Sequence, residues 1–221
     1  MATRLPDPPL PLTPLRPGDV FELPAGARVA RIYAAGGDHP STWRSFRTFG
    51  PVPTMRFDHH LRPERPGERR AVSYCAPAAV RRATGNDPLE TCLAEVFSST
   101  AVIDLSQGQP WFTIWVAARP LRLLDVVDCR WITRARGNAA ISSGEHAQSQ
   151  KWAKAIHHAY QDVDGIYYET SSIPMRRSVA LFERAETALP AAPEVNVPLN
   201  HAGLRAAVKR VANDLGFRLH V

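Results

Sequence analysis

Asp87-Pro88-Leu89-Glu90-Thr91-Cys92-Leu93-Ala94-Glu95-Val96-Phe97 reads as one short amphipathic helix, at about 88–98. Asp87 is a residue type that caps a helix start. Pro88 fits the first helical position, and Glu90 stands three residues after the cap. Leu89, Cys92, Leu93, Val96 and Phe97 fall at i, i+3, i+4, i+7 and i+8, the spacing of a core-facing stripe. At about 100° per residue, Glu95 lies roughly 60° from Cys92, between the stripe and solvent. Most carboxylates so placed simply reach out to water. Taken alone, Glu95 is a solvated flank residue, and only its companions along the chain make it a candidate for chemistry.

On both sides of this helix the sequence is strand-like. Val29-Ala30-Arg31-Ile32-Tyr33, Arg70 to Ala76, Trp111 to Ala117, Leu121 to Val126, Gly165-Ile166-Tyr167-Tyr168 and Ser178 to Phe182 predict strands. Met55-Arg56-Phe57 predicts a shorter strand, and Phe217 to Val221 a terminal one. Ser142-Ser143-Gly144-Glu145 predicts a capping box for a helix at about 144–161, with Trp152, Ala153, Ile156, Ala159 and Tyr160 on its apolar face. A last helix at about 201–214 buries Leu204, Val208, Val211 and Leu215, and Gly216 ends it. Asp164-Gly165 reads as a turn. The aromatic, Arg-rich stretch from His39 to Pro51 reads as a long ordered loop, a kind that commonly carries function. Residues 61–70 read as a charged surface loop. Helices and strands mix without βαβα alternation, which predicts a single α+β domain rather than a doubly wound fold. Pro6, Pro8, Pro9, Pro11, Pro14 and Pro17 make residues 1–20 an extended arm, disordered or laid along a surface, and 21–221 the domain.

The chain has 221 residues, 44% hydrophobic and 22% charged, with a formal charge of +6. That composition is ordinary for a soluble globular protein, and the charge suits an acidic partner without choosing one. Cys75, Cys92 and Cys129 are odd in number and far apart, so no disulfide framework or zinc motif is expected, and a cytoplasmic setting is. No signal peptide or membrane span is expected. GxGxxG after a strand, GxxxxGK[ST], GxSxG and HExxH are all absent. His59-His60 and His157-His158 are adjacent pairs whose side chains diverge, so neither pair is read as a metal site.

What remains is dispersed: Arg31 and Tyr33 on the first strand, Arg56, Tyr74 on another strand, Glu95 on the helix, and the hydroxyls of Thr170, Ser171 and Ser172. An Arg, aromatics, a Glu and hydroxyls around one cleft suit a ligand with phosphate, a flat ring and a ribose. Singly, Arg31 reads as a surface ion pair, Tyr74 as a core aromatic and Ser171 as a helix or turn cap.

Arg31-Ile32-Tyr33, His39 to Trp43, Phe49-Gly50-Pro51, Met55-Arg56-Phe57-Asp58, Val72 to Ala76, Ala94-Glu95-Val96-Phe97, Asp164 to Tyr168 with Ser171-Ser172, and Val179 to Phe182 together resemble RES-domain proteins, over most of residues 21–185. That family is named for an Arg, a Glu and a Ser in that order, matched here by Arg31, Glu95 and Ser171, with Ser172 and Thr170 as alternates. Tyr74 matches its active-site tyrosine. Met55-Arg56-Phe57 stands where the family often has a Gly-Gly-Arg-Trp-like segment. The resemblance implies an ADP-ribosyltransferase-like mixed sheet with flanking helices. It also implies a toxin of an Xre–RES toxin–antitoxin pair that consumes NAD by phosphorolysis or hydrolysis, inorganic phosphate being the co-substrate in the first case.

The implied catalytic residues are Glu95, Arg31 and Ser171. Arg31, Tyr33, Arg56, Tyr74, Ser171, Ser172 and Thr170 are the implied NAD-binding residues, and no metal is required. The implied partners are a cognate Xre-type antitoxin and further copies of the chain. Nucleic acid is reached only through the antitoxin, and no membrane is involved. Protein ADP-ribosylation and a non-catalytic basic binding module stand as alternatives.

Overall fold

The computed structural model describes residues 4–60, 69–81 and 86–221. In chain order the elements are β1 (Val20–Leu23), β2 (Arg28–Ala34), β3 (Val72–Pro77), α1 (Pro88–Phe97), β4 (Val102–Asp104), β5 (Pro110–Val116), β6 (Leu121–Asp125), α2 (Trp131–Arg134), α3 (Ala140–Ser143), α4 (His146–Ala159), β7 (Gly165–Glu169), β8 (Arg177–Phe182), a 3-10 turn (Glu183–Ala188), β9 (Val195–Pro198), α5 (Arg205–Leu215) and β10 (Arg218–His220). Eight strands form one mixed sheet in the order β1-β6-β7-β8-β3-β2-β5-β9, and β10 pairs with β4 apart from it. Only β6 and β7 run parallel within the large sheet. This is the expected α+β domain.

The join between β2 and β3 positions the site. β3 pairs with β8 from Val72 to Cys75, but with β2 only at Ala76 and Pro77, opposite Ala30 and Val29. Beyond Ala30, β2 stays with β5 and leaves β3. The sheet therefore opens into a seam between Arg31–Tyr33 and Ser73–Cys75. Directly paired residues share a face. So Val72, Tyr74, Ala76, Ala30, Ile166, Tyr168, Ala180 and Phe182 lie on one side, and Val29, Arg31, Cys75, Tyr167, Val179 and Leu181 on the other. Helix α4 covers the first side with Trp152, Ala153 and Ile156, while α1 and α5 pack beside it on Ala30 and Ala76. The other side is covered by Phe46, Trp43, Ala185 and Ala188.

Helix α1 starts as its sequence dictates: the Asp87 carboxylate accepts from the Leu89 and Glu90 amides, with Pro88 at the first position. Glu90 does not close a capping box but pairs with Arg176. The buried stretch is Thr91 to Ala94, and Val96 is 46% exposed, so the expected stripe is displaced. Ser142–Glu145 is not a capping box either. Ser142 and Ser143 end α3, Gly144 breaks the chain, and Glu145 precedes α4 without a side-chain cap. Met55-Arg56-Phe57 is not a strand: the segment from Met55 to His60 is turn and coil, with Arg56 to His60 buried. Ala159 is exposed. Gly165 opens β7 rather than a turn, and a Cβ there would lie 2.4 Å from the Ala180 carbonyl oxygen. Gly165→Ala should therefore destabilise the fold by about 1–3 kcal/mol, the usual range for overpacking. Urea unfolding measures it.

The proline arm lies along the surface and enters the core. Leu5 and Leu12 are buried in the cluster built by Trp131, Trp152 and Ile156. An extended proline segment has free carbonyls: the Trp152 indole donates to the Pro6 carbonyl at 2.8 Å, and the Tyr160 hydroxyl to that of Thr13. Residues 61–68 of the expected surface loop lie outside the described residues. No helix among the described residues is long and apolar enough to cross a membrane.

Candidate active site

Glu95 sits on the last turn of α1, where that helix overhangs the seam side of β3. Its Oε2 accepts from the Tyr168 hydroxyl at 3.1 Å, and the Thr170 hydroxyl lies beside the carboxylate. Burial pushes its pKa above the ordinary Glu value, while Tyr168, Thr170 and the Arg56 charge pull it back. Tyr168 is itself buried and packs edge-tilted on Phe57 at 4.7 Å between ring centres.

Arg56 brings a positive charge to the same spot. Its guanidinium donates to the Gly144 carbonyl at 2.5 Å and lies 3.5 Å from the Ser149 hydroxyl. Among the described residues no carboxylate is ion-paired with it. Burial lowers its pKa, and Tyr168, Glu95 and Tyr74 are its electrostatic neighbours. The segment bearing it is fixed by a network. The Asp58 carboxylate accepts from Arg47 at 2.5 Å, from the Tyr74 hydroxyl at 2.8 Å and from the Val52 amide at 2.7 Å. The same Tyr74 oxygen accepts from the Phe57 amide at 2.9 Å. Gln150 of α4 donates to the Val52 and Met55 carbonyls. Tyr74 thus positions Arg56, and its hydroxyl is fully committed.

Arg31 is held apart. Strand alternation puts it on the other side of the sheet, at the seam, where it donates to the Ser45 carbonyl. Its electrostatic neighbours are Cys75, Cys92, Tyr33 and Arg47, and burial lowers its pKa. Burial keeps the Cys75 and Cys92 thiols protonated, which makes them packing groups rather than nucleophiles. Tyr33 donates to Asn196 at 2.9 Å and stacks near Trp111. The structure therefore gathers Glu95, Arg56, Tyr74 and Thr170 on one side of the seam, with Arg31 and Tyr33 on the other.

The hydroxyl cluster resolves by position. Thr170 is buried and faces Glu95, and its oxygen also accepts from the Ser172 and Ile173 amides. Ser171 is exposed, and Ser172 contributes its backbone amide to that turn. The hydroxyl at Glu95 is thus Thr170 and not Ser171. Period-two alternation along β7 carries the signal: Ile166, Tyr168 and Thr170 share a face, and Ser171 takes the other. Tyr168, absent from the expected set, follows from the same parity.

A half-buried carboxylate, two hydroxyls and a guanidinium thus lie together beside the seam, a set of groups able to stabilise positive charge and to hold an anion. The RES domain family model matches residues 28–200, and the chain belongs to the RES domain family. No curated protein matches it. Among solved structures, a chain of the crystal structure of the M. tuberculosis MbcT–MbcA toxin–antitoxin complex is similar, with a TM-score of 0.53 and 11% identity. The alignment covers 86% of this chain and 91% of that one. At that identity the likeness is one of fold.

Proposed function

We propose that the protein is the toxin of a toxin–antitoxin pair and that it consumes NAD by cleaving the nicotinamide–ribose bond. The Glu95 carboxylate, held by Tyr168 and flanked by Thr170 and Arg56, is the observation that carries this reading. The bond breaks with its electron pair on the nicotinamide nitrogen, which leaves neutral, and the ribose carbon becomes oxocarbenium-like. Glu95 stabilises that cation directly or through the ribose hydroxyls. Its environment also orients it, because the Tyr168 hydroxyl donates to the carboxylate and fixes its place. Arg56 holds a phosphate of NAD or the incoming phosphate ion, and Arg31 contacts an anion across the seam. Water attack yields ADP-ribose; phosphate attack yields ADP-ribose-1″-phosphate. Family membership and the fold likeness to a chain of a toxin–antitoxin complex support a cognate Xre-type antitoxin as partner.

Incubating the pure protein with NAD, with and without inorganic phosphate, and identifying the products tests the reading. Nicotinamide with phosphate-dependent ADP-ribose-1″-phosphate indicates phosphorolysis, and free ADP-ribose indicates hydrolysis. Labelled ADP-ribose retained on protein moves the assignment to protein modification. Salt-sensitive DNA binding with intact NAD replaces the enzyme by a basic binding module.

Thr170→Val should lower NAD turnover by roughly tenfold or more, since it removes the hydroxyl beside Glu95 and leaves the Ser172 and Ile173 amides without their acceptor, a loss of about 1–3 kcal/mol. Ser171→Ala should leave turnover unchanged. Parallel nicotinamide-release assays on the two variants decide which hydroxyl matters.

A further inference from the structure

Away from the seam, a second cluster joins one member of each histidine pair. His59 follows the Arg56–Asp58 segment, His157 lies on α4, and Glu183 begins the 3-10 turn after β8. His157 Nε2 is 2.7 Å from Glu183 Oε1, and His59 Nε2 is 3.2 Å from Oε2. The imidazoles stack with centres 4.3 Å apart and 23° between planes, so both Nε2 atoms point at one carboxylate. The three ligand atoms lie within 4.8 Å of one another. The Ala71 amide also donates to Glu183 Oε2 at 3.2 Å and fixes the carboxylate. Arg184, the nearest cation along the chain, is turned onto the carbonyls of Tyr160 and His157.

We propose that His59, His157 and Glu183 form a site for one divalent transition-metal ion of the zinc class. Two imidazole nitrogens and one carboxylate oxygen are a donor set that zinc takes in three-ligand sites, leaving a fourth position for water. His59 is fully buried, whereas the His157 and Glu183 side chains retain 11% and 17% exposure. Zinc–ligand bonds of about 2.0–2.2 Å set tetrahedral ligand separations near 3.4 Å. The three atoms reach that with shifts of about an ångström or less. Among the described residues His59 Nδ1 is buried with no partner, so nothing there fixes which ring nitrogen carries the proton. Moving the proton from Nε2 to Nδ1 on each neutral ring frees both Nε2 lone pairs for the ion, with no net proton released. The ion would join the segment that carries Arg56 to α4 and β8, and so act as a clasp behind the candidate active site.

The test uses the untagged full chain, stripped with chelator and titrated with Co²⁺, then with Zn²⁺ as competitor. The expected result is one Co²⁺ per chain with the intense visible bands of low-coordinate cobalt, displaced by Zn²⁺, and a melting temperature that rises with Zn²⁺. His157→Gln keeps a donor to Glu183 but not the ligand. Outer-shell changes alone cost about 10–100-fold in affinity, so losing this ligand should cost about 100-fold or more. His158→Gln, on the exposed neighbour, should change nothing. Should His157→Gln fold poorly by circular dichroism, Glu183→Gln, which keeps an acceptor oxygen for one ring, takes its place. Absence of saturable one-to-one binding, or equal affinity in wild type and the ligand variants, overturns the proposal.

Discussion

Glu95→Gln should keep the fold and reduce NAD turnover by about 10²–10³-fold, the usual cost of removing one electrostatic stabiliser from a transition state. The amide oxygen still accepts from Tyr168, and Thr91 to Ala94 still anchor α1, so far-UV circular dichroism should match wild type. The pH profile adds a second signature. Only the ionised carboxylate stabilises a cation, so turnover falls as pH drops through the Glu95 pKa. Burial puts that value above the ordinary Glu value, so the acid limb should lie at higher pH than a solvated Glu would give. Stability has the opposite sign. A carboxyl whose folded pKa exceeds its unfolded one binds more protons when folded, and stability decreases as pH rises through that interval. At neutral pH, Glu95→Gln should thus be at least as stable as wild type while losing activity. Nicotinamide release across pH, beside urea unfolding at neutral pH, checks both. Turnover within a few-fold of wild type would remove Glu95 from the mechanism.

The sequence made local features readable and left long-range ones hidden. Asp87 capping α1, Gly216 ending α5 in a left-handed conformation, and the strand cores at Val29–Tyr33 and Val179–Phe182 all depend on neighbours within a few residues. Such effects survive in a one-dimensional reading. Val96 failed because hydrophobic spacing describes a helix with a partner along its whole length, whereas the last turn of α1 overhangs the seam. The 142–145 stretch failed because Ser142 and Ser143 are spent on the end of α3, where the Gly144 amide bonds the Ala140 carbonyl, and α4 begins only at His146.

The candidate site divides in the same way. Arg31 and Glu95 are recognisable by order along the chain, but order does not say that an open seam separates them. Neither does it pair His59 with His157, which lie on a coil segment and a helix far apart in sequence. Thr170 is the intermediate case: strand parity reveals it, provided the parity is continued one residue beyond the strand.

Asp58→Ala should destabilise the protein by about 3–5 kcal/mol, the range for breaking a buried ion pair from one side. Asp58 is buried, and its two oxygens serve Arg47, Tyr74 and the Val52 amide. Truncation strands the Arg47 guanidinium, whose side chain is 17% exposed, together with a backbone amide and a phenol. Total stability of a domain is about 5–15 kcal/mol, so this loss should move the urea midpoint far down. Activity should suffer even well below the unfolding transition. The Phe57 amide rests on Tyr74, whose hydroxyl rests on Asp58, so the Arg56 segment loses its anchor while Glu95 keeps its own. Catalysis by Glu95 would then persist with poorer anion positioning, giving a raised KM with a smaller change in kcat. Asp58→Asn retains an acceptor for one or two of the three donors and should fall between wild type and Asp58→Ala in both measurements. An Asp58→Ala protein with wild-type midpoint and KM would mean that Arg56 is held by Gly144, Ser149 and Gln150 alone.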